Sequence, residues 1–357
     1  MSDQMIIQSH KGPYEVHFRK DAIDNMADLL PESGVVLIDA HVADLYQDRI
    51  GAALAGWPVV RIDAKETNKS LEAMPGFVDQ LVDAQLRRDQ CIVAIGGGII
   101  QDITCFLAST LLRGVEWQFF PTTLLAQADS CIGSKSSINS GSTKNILGTF
   151  NPARKIYICT DFLKTLDERD LRSGIGEILK AHAIAGPAAF DALAAEYDGL
   201  LERGPVLEKW IRSSLDIKKE YIEEDEFDQA RRNIFNYGHS FGHAIESVTN
   251  YAVPHGIAVT MGMDMANHVA ASLGVAGDDQ FRRTHPTFRT NYAGFETVEI
   301  DVDAMRRAMS KDKKNIGRNS VTLILPGRDG TLFRAPYDND DRFADACRSF
   351  LHEGRAA

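Results

Sequence analysis

The chain has 357 residues, 44% hydrophobic and 25% charged, with a formal net charge of −11 at pH 7. That balance describes a globular protein large enough for two cores, and the acidic total lacks the basic footprint nucleic-acid binding needs. No apolar run reaches membrane-spanning length, and Met1-Ser2-Asp3-Gln4 has neither a basic n-region nor an apolar h-region, so no membrane partner and no signal peptide are expected.

Residues 35–38 and 58–62 are short apolar runs that read as strands, and 71–86 carry helical periodicity. Residues 91–95, all apolar and rich in β-branched side chains, read as a buried strand running straight into Gly96-Gly97-Gly98. A buried helix over 99–112 follows, and another strand ends at Phe119-Phe120 before Pro121. Strands alternating with helices imply a parallel sheet covered on both faces, with ligands at the carboxyl ends of the strands. From about Leu171 the pattern turns helical, over 175–185, 187–198, 205–220, 230–248 and 257–273, with strand-like runs only at 320–325 and 331–334. The expected organisation is an α/β, Rossmann-like parallel-sheet domain over 1–170 and a mostly α-helical domain over 171–357, with a cleft between them. Five scattered cysteines without a C-x-x-C pair read as buried free thiols in a reducing, cytoplasmic setting.

Gly96-Gly97-Gly98 joins a strand to a helix, where glycines admit a phosphate to the helix N-terminus, or simply make a tight turn. Asp102 beyond it either serves that site or caps the helix. The small-residue segment from Asp129 to Lys135, with Asn139 and Lys144-Asn145 beyond, suits a polar, phosphorylated ligand. A solvated loop is the plainer alternative. Glu177 and Lys180 stand three apart on one helix face, as a surface ion pair or, if buried, as a carboxylate able to bind a metal. In Asn236-Tyr237-Gly238-His239-Ser240-Phe241-Gly242-His243 the two imidazoles are four apart, and His255 follows Pro254. Imidazoles so placed suit a catalytic zinc with three protein ligands, although a histidine pair at this spacing is also common on a solvated surface. Gly238 and Gly242 flank the pair within a helical pattern, which implies that something approaches the backbone closely. Counted from Arg232, positions 236, 239 and 243 follow at i+4, i+7 and i+11, one stripe on one helix.

Taken together, Gly96-Gly97-Gly98-Ile99-Ile100-Gln101-Asp102, Leu112-Arg113-Gly114-Val115, Pro121-Thr122-Thr123, Lys144-Asn145, Glu177-Ile178-Leu179-Lys180, Arg232-x-x-x-Asn236, Gly238-His239-Ser240-Phe241-Gly242-His243-Ala244-Ile245-Glu246, His255-Gly256 and Lys311-Asp312-Lys313-Lys314 resemble 3-dehydroquinate synthase and, more broadly, the sugar phosphate cyclases. The resemblance runs from about Val35 to about Gly327. It implies zinc, or cobalt, held by Glu177, His239 and His255. It implies NAD, with Asp39, Glu66 and Lys69 at the adenosine half, Gly97 and Gly98 at the pyrophosphate, Thr122 and Thr123 lining the site, Asp129 near the nicotinamide, and Asp102 and Lys144 on the cofactor side. Arg113, Lys135, Asn145, Lys180, Lys218, Arg232, Asn236, His243 and Lys313 are implied as substrate residues. The implied activity is that of a phosphate-eliminating carbon–oxygen lyase of the shikimate pathway, acting on a phosphorylated sugar acid. A homodimer is expected by the same analogy.

The chain departs from the family pattern. Gln101 and Ser134 stand where glycines are usual, Ser136-Ser137-Ile138 where Thr-Ala-Val is, Ala181-His182 where Tyr-Gly is, and Ile257 where a glutamate is. These side chains are expected to crowd the cofactor turn and the pocket. Cyclases acting on sedoheptulose 7-phosphate usually alter the Arg-x-x-x-Asn pair, which is intact here and points to a carboxylate-bearing substrate. A secondary-metabolism paralogue forming an amino-dehydroquinate or another cyclitol is the alternative within the family. A metal-dependent polyol dehydrogenase and a non-catalytic binding paralogue are the alternatives outside it.

Overall fold

Short apolar runs rich in valine and isoleucine become the strands of one sheet. The protein, as a computed structural model, is described over residues 3–141, 143–310 and 320–356. It divides into two units, Met1–Leu166 with Lys219–Phe227, and Asp167–Lys218 with Asp228–Ala357.

In the first unit β1 (Gln4–Ile7), β2 (Tyr14–Phe18), β3 (Gly34–Asp39), β4 (Val59–Ile62), β5 (Cys91–Gly96), β6 (Glu116–Pro121) and, after a hairpin of β7 (Lys135–Ser140) and β8 (Thr143–Phe150), β9 (Lys155–Ile158) are the strands. Seven of them form the sheet β1-β2-β9-β6-β5-β3-β4. Every pairing in it is parallel except β1 with β2. The expected parallel sheet is therefore present, extended by an antiparallel edge strand. β5 is buried at every position, as a central parallel strand covered on both faces must be. All five cysteines are buried and free.

The second unit is helical, with β10 (Ser320–Pro326) and β11 (Leu332–Asp338) as an antiparallel pair. Its centre is the helix His255–Ser272, which Pro254 starts by setting an extended N-cap. Two other helices approach it at backbone distance. A β-carbon on Gly176, in the helix Glu168–Ala185, would meet the Gly256 carbonyl at 2.2 Å, and one on Gly256 would meet the Ser173 carbonyl at 1.8 Å. A β-carbon on Gly262 would meet the Gly238 carbonyl at 2.1 Å.

That second approach corrects the sequence-based helix over 230–248. Arg231–Asn236 is a 3-10 segment, Gly238 is left-handed at φ 76°, and the α-helix starts at His239 and ends at Val248. The chain turns at Gly238 because its carbonyl lies against Gly262, which a straight helix would not allow. Arg232 and Asn236 thus do not share a helix with the two histidines.

The close approaches predict a graded response to alanine. Gly256→Ala and Gly176→Ala should each destabilise by about 1–3 kcal/mol or more through overpacking. Gly98→Ala, where a β-carbon meets nothing within 4 Å, should stay within about 1 kcal/mol of wild type. Urea unfolding midpoints at constant slope measure both.

Candidate functional site

In the first unit the winding reverses between β3, which leads to β4, and β5, which leads to β6 on the other side. The carboxyl ends of adjacent strands at such a reversal bound a ligand crevice. Asp39 ends β3 and Gly97 follows β5. Gly97 is the extended N-cap of the helix Gly98–Thr110. A β-carbon on Gly97 would come within 2.8 Å of the Thr123 methyl, whereas the space beside Gly98 is open. Open space beside a glycine at a helix N-terminus, where the first N–H groups have no partner within the helix, fits a pyrophosphate. Thr122 donates its N–H to the Gly96 carbonyl at 2.9 Å, and Asp39 accepts from the His41 N–H at 2.9 Å.

Five expected cofactor or substrate residues form one polar cluster. Buried Lys69 donates to Asn145 Oδ1 at 2.9 Å and lies 3.2 Å from Asp102 Oδ2 and 3.5 Å from Glu66 Oε1. Glu66 also accepts from Asn139 Nδ2 at 2.9 Å, and Lys144 Nζ lies 3.9 Å away. Asp102 does not cap its helix; it accepts from the Ser137 N–H at 2.9 Å, tying the β7–β8 hairpin to the helix Gly98–Thr110. Burial raises its carboxyl pKa above the usual value, against the pull of Lys69. Lys135 is exposed at the start of β7, and Asp129 sits in a π-helical turn, Ala126–Ser130. Arg113 is elsewhere. It stands three residues before Glu116, which pairs with Cys91 at the amino end of β5, whereas Gly96 pairs with Pro121 at the carboxyl end. Arg113 therefore lies at the end of the sheet opposite the crevice.

In the second unit Glu177, 1% exposed, brings a carboxylate into the helical core. Its Oε1 lies 3.4 Å from His255 Nε2 and 3.8 Å from His239 Nε2. Its other oxygen, Oε2, forms a short ion pair with Lys180, which is itself 3% exposed and sits over the Phe235 ring. The far nitrogens of both imidazoles are engaged: His239 Nδ1 with the Tyr237 carbonyl at 3.2 Å, and His255 Nδ1 with Glu246 Oε2 at 3.1 Å. This leaves two Nε2 atoms and one carboxylate oxygen converging, with Oε1 making no hydrogen bond. A tetrahedral cation with bonds of about 2.0–2.2 Å separates its donors by roughly 3.3–3.6 Å. The donor set fits a divalent cation, and the outer partners are of the kind that orient metal-binding imidazoles. His243 is exposed, and its ligand atom falls within 4.8 Å of those of His239 and His255.

The electrostatics agree. Burial would raise the Glu177 pKa, but Lys180 and the two histidines hold it well below the usual carboxylate range. Burial and the Lys180 ammonium push His239 well below the usual imidazole value. His255 behaves oppositely: against burial, Glu177 and Glu246 push it up to about 10. Lys218 and Arg232 are buried cations of the same unit, and Asn236 donates to the Asn233 carbonyl at 3.0 Å. Lys313 lies outside the described residues.

Three of the departures from the family pattern do not crowd a pocket. Gln101 turns toward Ser130. His182 is buried, contacting the Ile178 carbonyl and Ser213 Oγ, each at 2.8 Å, with Trp210 edge-on. Ile257 is fully buried in the core. The role of Glu246 is the main feature that the residue pattern did not single out. Its place at i+7 from His239 and i+3 from His243 is the signal for it.

A nucleotide-type crevice in an α/β unit and a carboxylate–imidazole centre in a helical unit define a nucleotide- and metal-dependent enzyme of two units. The profiles for the 3-dehydroquinate synthase N-terminal and C-terminal regions match residues 59–173 and 174–315, and the chain belongs to the 3-dehydroquinate synthase family. It is 38% identical over 296 residues to 3-dehydroquinate synthase of Methylococcus capsulatus, covering 82% of each chain. It is also 38% identical over 273 residues to 2-epi-valiolone synthase of Actinosynnema mirum, covering 73% of this chain and 71% of that one. Its fold matches 2-epi-5-epi-valiolone synthase of Streptomyces hygroscopicus subsp. jinggangensis, solved with NAD+ and Zn2+ bound, at a TM-score of 0.86 and 28% identity over 96% of this chain and 97% of that one.

The metal centre predicts two measurable losses. His255→Ala should purify without bound metal yet remain folded, read by elemental analysis and circular dichroism. Glu246→Gln should weaken metal affinity about 10- to 100-fold, read by competition against a chelating dye; unchanged affinity would separate Glu246 from the centre.

Proposed function

We propose that this chain is an NAD- and metal-dependent sugar phosphate cyclase whose substrate is the phosphorylated sugar acid 3-deoxy-arabino-heptulosonate 7-phosphate, giving 3-dehydroquinate and phosphate. The observation that carries the reading is the buried Glu177 carboxylate, facing two imidazole nitrogens on one side and Lys180 on the other, in a unit that also buries Lys218 and Arg232. A neutral polyol has no need of those cations; a substrate bearing both a carboxylate and a phosphate does. Residues 1–170 serve as the cofactor-binding part and 171–357 as the metal- and substrate-binding part.

NAD bound to this chain would supply reversible hydride acceptance at a ring alcohol, and a divalent cation would supply polarisation of that alcohol. Glu177, His239 and His255 would hold the cation. Asp39, Glu66 and Lys69 take the adenosine half of the cofactor, Gly97 and Gly98 the pyrophosphate, and Thr122, Thr123 and Asp129 the rest, with Asp102 and Lys144 supporting them. Arg232 with Asn236 grips the carboxylate. Lys135, Lys180, Lys218 and Lys313 neutralise the phosphate and the charge that develops as it leaves by elimination beside the transient ketone, with Asn145 and His243 as hydrogen-bonding partners. Ring opening and aldol closure then need orientation more than further chemistry. Arg113, at the far end of its own sheet, acts on this reading in a second copy of the chain, which is the ground for a homodimer. The five buried thiols fit a reducing, cytoplasmic setting.

A second reading, a paralogue that closes a related seven-carbon sugar phosphate, is favoured by the equal identity to 2-epi-valiolone synthase. The test is incubation with NAD+, Zn2+ and a panel of seven-carbon sugar phosphates. Stoichiometric phosphate release without net NADH, and a carboxylated product by mass, is the expected result. Sustained NADH accumulation from a polyol would overturn the cyclase reading, and turnover of sedoheptulose 7-phosphate alone would select the paralogue. Arg232→Ala should lower kcat/KM for the acid substrate at least about 30-fold, since losing a buried charged partner costs about 2–5 kcal/mol.

A further inference from the structure

We infer that Gln101 is a positioning residue for the nicotinamide end of the cofactor site, acting by holding the π-helical turn that carries Asp129. The inference rests on the cofactor reading above and adds to it a residue that the family pattern supplies as glycine.

The turn Ala126–Ser130 is π-helical, with the Cys131 N–H donating five residues back to the Ala126 carbonyl at 3.0 Å. Such turns are rare, and their displaced carbonyls need partners from outside the helix. Two glutamine side chains fasten this one. Gln127, fully buried, donates Nε2 to the Pro121 carbonyl at 2.9 Å and to the Cys159 carbonyl at 2.8 Å, which fixes the turn to the carboxyl ends of β6 and β9. Gln101 reaches the other end. Its Nε2 donates to the Ser130 carbonyl at 2.5 Å, and Ser130 Oγ donates back to Gln101 Oε1 at 2.6 Å. Gln101 is 6% exposed and Ser130 half-buried, so both bonds are partly shielded from water. Asp129 lies between the two fastened residues.

Gln101 also stands three residues after Gly98, on the same side of the helix whose N-terminus faces the open crevice. The reciprocal bond therefore sets the spacing between the pyrophosphate position and Asp129. Glycine at 101 offers neither donor nor acceptor, and would leave the Ser130 carbonyl without this partner. The departure does not obstruct the crevice; it braces the wall of it.

Calorimetric titration of NAD+ and, separately, of ADP-ribose into the metal-loaded protein tests the inference, with thermal unfolding as a check on folding. Gln101→Ala and Gln101→Gly should raise the Kd for NAD+ about tenfold, the scale of two part-buried hydrogen bonds after solvent exchange. ADP-ribose, which lacks the nicotinamide, should bind as to wild type. Ser130→Ala keeps the amide–carbonyl bond and should raise the NAD+ Kd by only about threefold. It also carries the test if either Gln101 variant fails to fold. An unchanged NAD+ Kd in a folded variant, with or without a lowered Tm, reduces Gln101 to a structural brace and overturns the inference. Equal weakening of both ligands overturns it too. Failure of wild type to bind NAD+ instead removes the cofactor reading itself, and this inference with it.

Discussion

A carboxylate taken out of water among helices is costly unless charge meets it at close range, and Glu177 is such a group. What permits it is the approach of backbones around it. Gly176 and Gly256 let the helix bearing the carboxylate touch the start of the helix bearing His255, and Gly238 with Gly262 does the same for the helix bearing His239. Three donors from distant parts of the chain meet because no β-carbon separates the helices that carry them. Lys180 satisfies one oxygen, and the imidazoles, oriented by Tyr237 and Glu246, turn their free nitrogens to the other.

The first unit solves a different problem. Its ligand crevice is made of backbone at the ends of β3 and β5, which is rigid, and of the β7–β8 hairpin, a two-stranded element with little stability of its own. The polar cluster of Glu66, Lys69, Asp102, Asn139 and Asn145 fastens that hairpin to the helix Gly98–Thr110. Ser137 adds a bond to Asn145, and Ser136 one to Thr149. Side chains expected to contact ligand thus also hold one another.

How much of this can be read from residues alone varies by feature. The strand at Cys91–Gly96 was legible because a β-branched run ending in three glycines allows few other structures. The histidine spacing was legible because four residues is a helical repeat. Glu177 was not distinguishable from a surface ion pair by spacing with Lys180; its burial depends on Gly256, eighty residues away. The break at Gly238 was illegible for a related reason. Arg232, Asn236, His239 and His243 keep helical spacing straight through it, and only the partner glycine at 262 shows why the chain must turn. Gln101 and His182, read as intrusions by comparison with a family pattern, are instead each taken up by a hydrogen-bonding partner in a neighbouring segment of their own unit. Periodicity reports which way a side chain leaves its own helix, and says little about what stands opposite.

The absence of sulfur from the donor set Glu177, His239 and His255 has a consequence of its own. Cys91, Cys105 and Cys347 are buried, with thiol pKa values raised to about 12, 11 and 12. Hardly any thiolate exists at neutral pH to compete for an ion. Two imidazoles and a carboxylate discriminate only modestly among first-row divalent ions, whose affinities for such donors follow a fixed chemical series. An ion on such donors would be chosen by the supply of each ion more than by the polypeptide, and one folded chain could be charged with different elements as that supply changes.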